Sequence, residues 1–376
     1  MTTIDLAHHL REQVLEPIKQ SLVGKDEIVE LLGVALVAGE NLFLLGPPGT
    51  AKSALVLELA ARLRGRSFDY LLTRFTEPSE LFGPFDLRRL RDGDLVTNTE
   101  GMLPEADVVF LDELMNANSA ILNSLLLALN ERVFRRGRQT EPLPMLFAVG
   151  ASNQLPADDA LAALFDRFLI RVLCENVPDD HLDAVLDAGW RRDRAEPADA
   201  SLSVDDVRAL NARVPHVDLN AVRPALIELI TRLRSLGIPI SDRRAVRLQR
   251  LIAASAVLCS REQAELSDLW VLQHIWDAPP QREILAAQID AIQEQFNADE
   301  PTAQHQHPMA QSQKAPSAEL LQRQLDTLQE LPTSDSVEDE LTLLAARVEW
   351  VEDETAREHL RSGIESLRER WRNASE

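Results

Sequence analysis

Asn41-Leu42-Phe43-Leu44-Leu45-Gly46-Pro47-Pro48-Gly49-Thr50-Ala51-Lys52-Ser53-Ala54 reads as a short apolar strand, a Gly/Pro turn and the opening of a helix. That context is what a phosphate-binding loop requires. Backbone N–H groups can turn inward onto phosphate oxygens, beside the positive end of a helix. In such a loop Gly46, Pro47, Pro48, Gly49, Thr50, Ala51 and Ala54 form the cradle and Lys52 neutralises the β- and γ-phosphates, while Ser53 offers its hydroxyl to Mg²⁺. Ala51 stands where glycine is usual; its methyl is tolerable if the position already has helical dihedrals.

A second element follows in the right order. Val108-Val109-Phe110-Leu111-Asp112-Glu113 is an apolar run ending in two carboxylates. Ligands of a parallel sheet bind at the carboxyl ends of its strands, which puts this pair and the loop at one edge. Asp112 then suits a Mg²⁺ held through water, and Glu113 suits orienting or polarising the attacking water. A lone Asp-Glu after a strand is ordinarily a solvated strand end. The loop at Gly46 is what makes the pair read as catalytic.

Further strands are expected at Ser67 to Leu72 and Met145 to Gly150, with helices at Lys52 to Leu63 and Ala117 to Asn130. Strands alternating with helices predict an α/β sandwich around a parallel sheet. From Ile4 to Ala38 the pattern is helical, with a break expected at Pro17 and a turn at Gly24. The polar stretch Asp193 to Asp199 suggests a boundary, giving a nucleotide-binding core over 1–194 and an all-α lid over 200–296. Residues 297–316, rich in Gln, Pro, Ala and His, read as a flexible linker, and 317–376 as a helical hairpin or coiled coil marked by Leu321, Leu325, Leu328, Leu341, Leu344 and Val348.

The 376 residues carry 39 basic and 61 acidic side chains, a net charge of −22, which argues against nucleic acid as a partner. Cys174 and Cys259 have no metal-ligand spacing and read as buried thiols in a reducing compartment. Neither a secretory signal nor an apolar run long enough to span a membrane is seen, and a cytoplasmic location is expected. His305 and His307 lie too sparsely in the linker to suggest a metal site, and Trp270 and Trp276 read as core.

With these residues in place the chain resembles the AAA+ ATPases, and among them the MoxR family, especially its RavA-like branch. The resemblance runs from about Leu15 to about Leu285, and the alanine at position 51 is one the family favours. It includes Leu111-Asp112-Glu113-Leu114-Met115-Asn116-Ala117-Asn118, the helix continuing to Phe134, Ala151-Ser152-Asn153, Leu164-Phe165-Asp166-Arg167-Phe168 and Ser241-Asp242-Arg243-Arg244.

The resemblance implies ATP/ADP and Mg²⁺ as ligands and gives roles to further residues. Asn153 looks like the sensor that positions the attacking water, with a turn asparagine as the alternative. Arg167 looks like an arginine finger for a neighbouring subunit, the alternative being an ion pair with Asp166. Arg243 looks like the lid's sensor-2 arginine, with Arg244 able to take that role. Val23 and Gly24 match the motif that lies against adenine. A finger acting in trans implies a homo-oligomeric ring, expected to be a hexamer. The family also implies chaperone-like remodelling of a protein client, commonly with a von Willebrand factor A domain partner. An ATP-gated scaffold and a nucleic-acid motor are the alternative functions.

Two inserts, Gly83 to Gly101 and Arg132 to Glu141, carry Arg88, Arg89, Arg91, Arg135, Arg136 and Arg138. They fit an acidic guest, or pairing with carboxylates across a subunit interface.

Overall fold

The computed structural model describes residues 3–91, 96–136, 139–192, 194, 200–296, 307–311, the single positions 322, 325, 341 and 348, and 354–375. Its strands are β1 Asn41–Leu45, β2 Leu63–Arg64, β3 Ser67–Leu71, β4 Val108–Asp112, β5 Val133–Arg136, β6 Gln139–Pro142, β7 Phe147–Ser152, β8 Phe168–Leu173 and β9 Leu202–Ser203. Five of them form one sheet in the order β3-β4-β7-β1-β8, with every neighbouring pair parallel. All five residues of β1 are buried, as expected of a central strand covered on both faces.

β8 is a fifth strand that the sequence reading leaves out. Arg171 interrupts its apolar run, yet that side chain is 1% exposed. Its guanidinium donates to the Trp276 carbonyl at 2.6 Å and pairs with Asp277 of the lid, so the charge is satisfied inside the fold.

The break expected at Pro17 is instead a π-helical turn, Arg11–Leu15, that joins the helices Thr3–Leu10 and Glu16–Ser21. Proline has no N–H to donate to the preceding turn, and a local widening absorbs the missing bond. The helix Asp26–Ala38 then leads to β1, closed by Gly39 at φ 67°. Residues on both sides of the expected domain boundary belong to the sheet side of the molecule. β9 pairs with β2, and Asn211, on the helix Val204–Arg213, donates to the Leu36 and Val37 carbonyls at 2.8 and 2.6 Å. Of the boundary stretch itself only Arg194 is described.

The lid comprises the helices Arg223–Ser235, Asp242–Leu258 and Gln281–Phe296 with the 3₁₀ segment Leu266–His274. Trp270 and Trp276 are buried core, as their setting suggests. The lid is tied to the core by ion pairs of Arg247 with Glu40 and of Arg282 with Glu27. The linker expectation fails at its centre, where the turn Pro308–Gln311 packs back on the molecule and His307 is fully buried. In the C-terminal region Leu325 lies against Gly363 of the helix Glu354–Ser375, and Leu341, Val348, Leu360, Ile364 and Leu367 are buried. The other leucines that mark the expected hairpin lie outside the described residues.

Glu30 is the core's most committed carboxylate. It is fully buried on the helix Asp26–Ala38, with Lys19 Nζ 2.6 Å from one oxygen and His307 Nε2 3.2 Å from the other. Burial alone would raise its pKa; the contacts with His307 and Lys19 outweigh it and hold the group down to about 2. A carboxyl depressed in the folded state stabilises fully above its ordinary value of 4.5 and loses that contribution as pH falls through about 2. The shift corresponds to about 3 kcal/mol. The stability gap between wild type and Glu30→Gln, measured by urea unfolding, is therefore expected to shrink between pH 6 and pH 3. A gap that stays constant would refute this ion-pair account.

Candidate nucleotide site

The loop after β1 is built by its surroundings as much as by its own sequence. Gly46 N donates to Ser152 O at 3.0 Å, and Cys174 N donates to Leu45 O at 2.7 Å, so β7 and β8 clamp the loop from both sides. A Cβ on Gly46 would sit 2.0 Å from the Cys174 carbonyl oxygen, which leaves glycine as the residue that fits. Thr50 closes the turn onto Pro47 O at 2.9 Å, and Cys174 Sγ donates to Thr50 O at 3.1 Å. Cys174, read from sequence as a buried thiol, thus forms the floor of the loop. No sequence signal marks it, because the strand that delivers it is itself not legible.

Ala51 does not have the helical dihedrals expected of it. It sits at φ 69°, ψ 21°, in the left-handed region. An L-residue with a Cβ holds that conformation at a cost of about 1–2 kcal/mol. The helix Lys52–Ala61 begins immediately after it, so the strain lies at the mouth of the loop. Gly49, at φ 85°, has no atom within 4 Å of where a Cβ would lie, and Pro47, Pro48 and Gly49 are exposed. The cradle is therefore open on its outer side. Lys52 is buried and its ammonium donates to Gly46 O and Pro47 O, both at 2.8 Å, arched over the loop it would share with phosphates.

Two oxygens converge beside this lysine. Ser53 Oγ donates to Asp112 Oδ2 at 3.2 Å, joining the first turn of the helix to the end of β4. Among the described residues no cluster of three or more His, Cys, Asp or Glu side chains exists that could hold a metal alone. A hydroxyl and one carboxylate instead suit Mg²⁺, which keeps waters and takes further oxygens from phosphates. Glu113 follows at φ 51°, also left-handed, and its N–H donates to Asp112 Oδ1 at 2.8 Å. Two strained residues with side chains, Ala51 and Glu113, thus flank the same small volume.

Asn153 follows β7, which lies between β4 and β1, so it stands exposed on the same edge between the acidic pair and the loop. The turn that carries Val23 and Gly24 lies against the segment that follows β8. Gly24 is at φ 73° and its missing Cβ would meet Val177 Cγ1 at 3.0 Å, while Lys25 donates to Glu175 O. Ala54 lies part-buried in the first turn after the loop.

The arginines fall elsewhere. Arg167 precedes β8, and its carbonyl accepts from Asn41 Nδ2 at 3.2 Å, at the start of β1. The length of β1, about 13 Å over its four steps, separates it from Gly46. It pairs with Asp166 at 3.5 Å, as the alternative reading has it. Burial pulls its pKa down, Asp166 opposes this, and the nearby charges of Arg243 and Arg247 add to the lowering. Arg243 stands at that same rear edge, 3.2 Å from Asn130 Oδ1, so it faces away from its own chain's loop. Arg244 is not free for a nucleotide. It is buried, bonded to Asp277 at 3.1 and 3.2 Å and to the Ile275 carbonyl, and it holds the lid's interior together.

This arrangement can now be set beside known proteins. Residues 8–212 match the model of the MoxR domain found in MoxR-vWA-beta-propeller ternary systems, and residues 222–289 match an AAA lid domain. The chain belongs to the MoxR family of AAA+ ATPases. Two uncharacterized proteins of Methanocaldococcus jannaschii are each 34% identical to it, one over 76% of both chains and the other over 72% of this chain and 70% of its own. Chaperone MoxR1 of Mycobacterium tuberculosis is 27% identical over 60% of this chain and 59% of its own. A candidate ATPase from Cytophaga hutchinsonii, 19% identical, shares the fold with a TM-score of 0.63 over 78% of this chain and 95% of that one.

Nucleotide binding is what the family implies, and the residues present fit it. The open cradle, the lysine over the loop and the Ser53–Asp112 pair are the groups that a magnesium nucleotide needs. Among the described residues no helix is long and apolar enough to cross a membrane.

Proposed function

We propose that the protein hydrolyses ATP at the carboxyl edge of its sheet and that a second copy completes each site. The observation that carries this reading is the split of polar groups between two edges. Lys52, Ser53, Asp112, Glu113 and Asn153 gather at one edge, and Arg167 with Arg243 stand at the other. In a head-to-tail ring, expected to be hexameric, the rear edge of one subunit would face the open cradle of the next.

Bound Mg²⁺–ATP would supply the phosphoanhydride and a cation that offsets phosphate charge. Lys52 would leave the Gly46 and Pro47 carbonyls to meet β- and γ-phosphate oxygens, and Ser53 and Asp112 would hold the cation. Glu113 accepts a proton from the attacking water, which Asn153 orients. Arg167 of the neighbour neutralises charge that builds on the γ-phosphoryl group, and Arg243 supports it from the same edge. Val23 and Gly24 border the adenine.

The output is chaperone-like remodelling of a protein client with a von Willebrand factor A domain partner. The matched MoxR model is named for such systems, which supports this assignment. The client surface is proposed to include the arginine-bearing inserts. The hairpin of β5 and β6 is joined to the helix Pro78–Phe82 by stacking of Phe134 on Phe82, with centroids 5.8 Å apart. Arg88, Arg89, Arg91 and Arg135 are exposed, and the backbone N–H groups of Arg88 and Arg89 donate to Asp86 Oδ1. Arg136 and Arg138 lie outside what is described of side chains. A Glu113→Gln protein loaded with ATP is expected to retain client and partner through affinity purification, whereas Lys52→Ala loses them. Equal recovery with both variants would contradict a nucleotide-gated client cycle.

A further inference from the structure

We infer that the seam between core and lid is a docking site for the chain's own C-terminal extension, with His307 as its anchor. The site has three walls. Glu30, on the helix Asp26–Ala38, belongs to the core, and its Oε2 lies 3.2 Å from His307 Nε2. Lys19, from the helix Glu16–Ser21, holds the other Glu30 oxygen at 2.6 Å and fixes the carboxylate. Trp270 belongs to the lid, and its ring stacks on the His307 imidazole with centroids 4.5 Å apart and planes 26° from parallel.

The fit is specific to imidazole. Met309 N is 3.2 Å from His307 Nδ1, and a backbone N–H can only donate, so Nδ1 is the unprotonated nitrogen. The ring proton therefore sits on Nε2, the nitrogen 3.2 Å from the carboxylate. One side chain thus offers a flat face to the indole, an electrostatic contact to Glu30 and an acceptor to its own turn. Glu30 Oε2 and His307 Nε2 are both buried without a well-aligned hydrogen bond, and their contact at 3.2 Å is electrostatic, so removing His307 strands a carboxylate oxygen in the core. The turn is closed by Ala310 N on His307 O at 2.9 Å, and Met309 and Ala310 pack against the main core.

Two consequences follow from where the walls belong. The chain beyond this turn continues into the region of the helix Glu354–Ser375, so the anchor sets where that region leaves the body of the molecule. Because Glu30 and Trp270 lie on different units, the site exists only while the lid is seated on the core. Docking of the extension and seating of the lid are therefore coupled, whatever the protein does with nucleotide.

The test is hydrogen exchange of the full-length protein, followed on peptides that contain the Ala310 amide. Its acceptor is a backbone carbonyl that side-chain substitution leaves in place. In the wild type this amide is expected to be protected. His307→Ala should speed its exchange roughly tenfold or more while the β1 and β4 amides keep their protection. Glu30→Gln, which keeps an acceptor oxygen but loses the charge, should give a smaller acceleration. Arg282→Ala removes the pair with Glu27, 2.8 Å long and one helical turn from Glu30, and is expected to accelerate Ala310 as well by loosening the lid. Exchange at the unprotected rate in the wild type would overturn the docking. Acceleration by His307→Ala but none by Arg282→Ala would overturn the coupling.

Discussion

Replacing Glu113 by Gln is expected to lower ATP turnover about 10²–10⁴-fold, the range associated with losing a positioned proton acceptor. Binding of ATP should remain, since Lys52, Ser53 and Asp112 are untouched and the amide occupies nearly the same volume. The backbone supports this separation. Glu113 is held in a left-handed conformation by its N–H bond to Asp112 Oδ1 at 2.8 Å, and that bond involves no atom of the Glu113 side chain. Single-turnover hydrolysis with labelled ATP, beside equilibrium binding of the same nucleotide, checks both halves. Turnover near the wild-type rate would move the proton acceptor to another residue.

The second large effect concerns Arg167. Its replacement by Ala is expected to reduce turnover about a thousandfold or more, as for other arginine fingers. The rear-edge position makes a sharper claim. Arg167→Ala and Lys52→Ala should each be inactive alone, for different reasons: the first has an intact cradle and no finger to give, the second has a finger and no working cradle. Mixed, they form interfaces in which an intact Arg167 faces an intact Lys52, and part of the activity should return. Removing Arg167 also strands Asp166 at an exposed site, where the lost ion pair counts for little, so folding should be nearly unaffected. Absence of recovery on mixing, with both variants folded and assembling, would contradict completion in trans.

The parts of the site that could be read from sequence are those fixed by short spacing. The loop at Gly46 and the carboxylates after Leu111 each follow an apolar strand, and parallel pairing puts both at one edge. What could not be read depends on partners distant in sequence. β8 hides behind Arg171, whose charge is answered by Asp277 more than a hundred residues later. The dihedrals of Ala51 follow from how Ser152 and Cys174 clamp the loop, and no local propensity encodes them. Arg243 and Arg244 are adjacent in sequence, yet a helix turns them to opposite fates, one exposed at the rear edge and one inside the lid. His307 looked like linker because its neighbours are polar; its burial is decided by Trp270 and Glu30.

The central claim is hydrolysis of ATP at a site that one subunit cannot complete. Its most direct measurement is steady-state turnover per subunit over a wide range of protein concentration, with Lys52→Ala alongside. The account predicts turnover per subunit that rises with concentration to a plateau as copies associate, and almost none for Lys52→Ala at any concentration. Turnover per subunit that stays flat down to concentrations where the protein is monomeric, or a Lys52→Ala protein as active as the wild type, would contradict it.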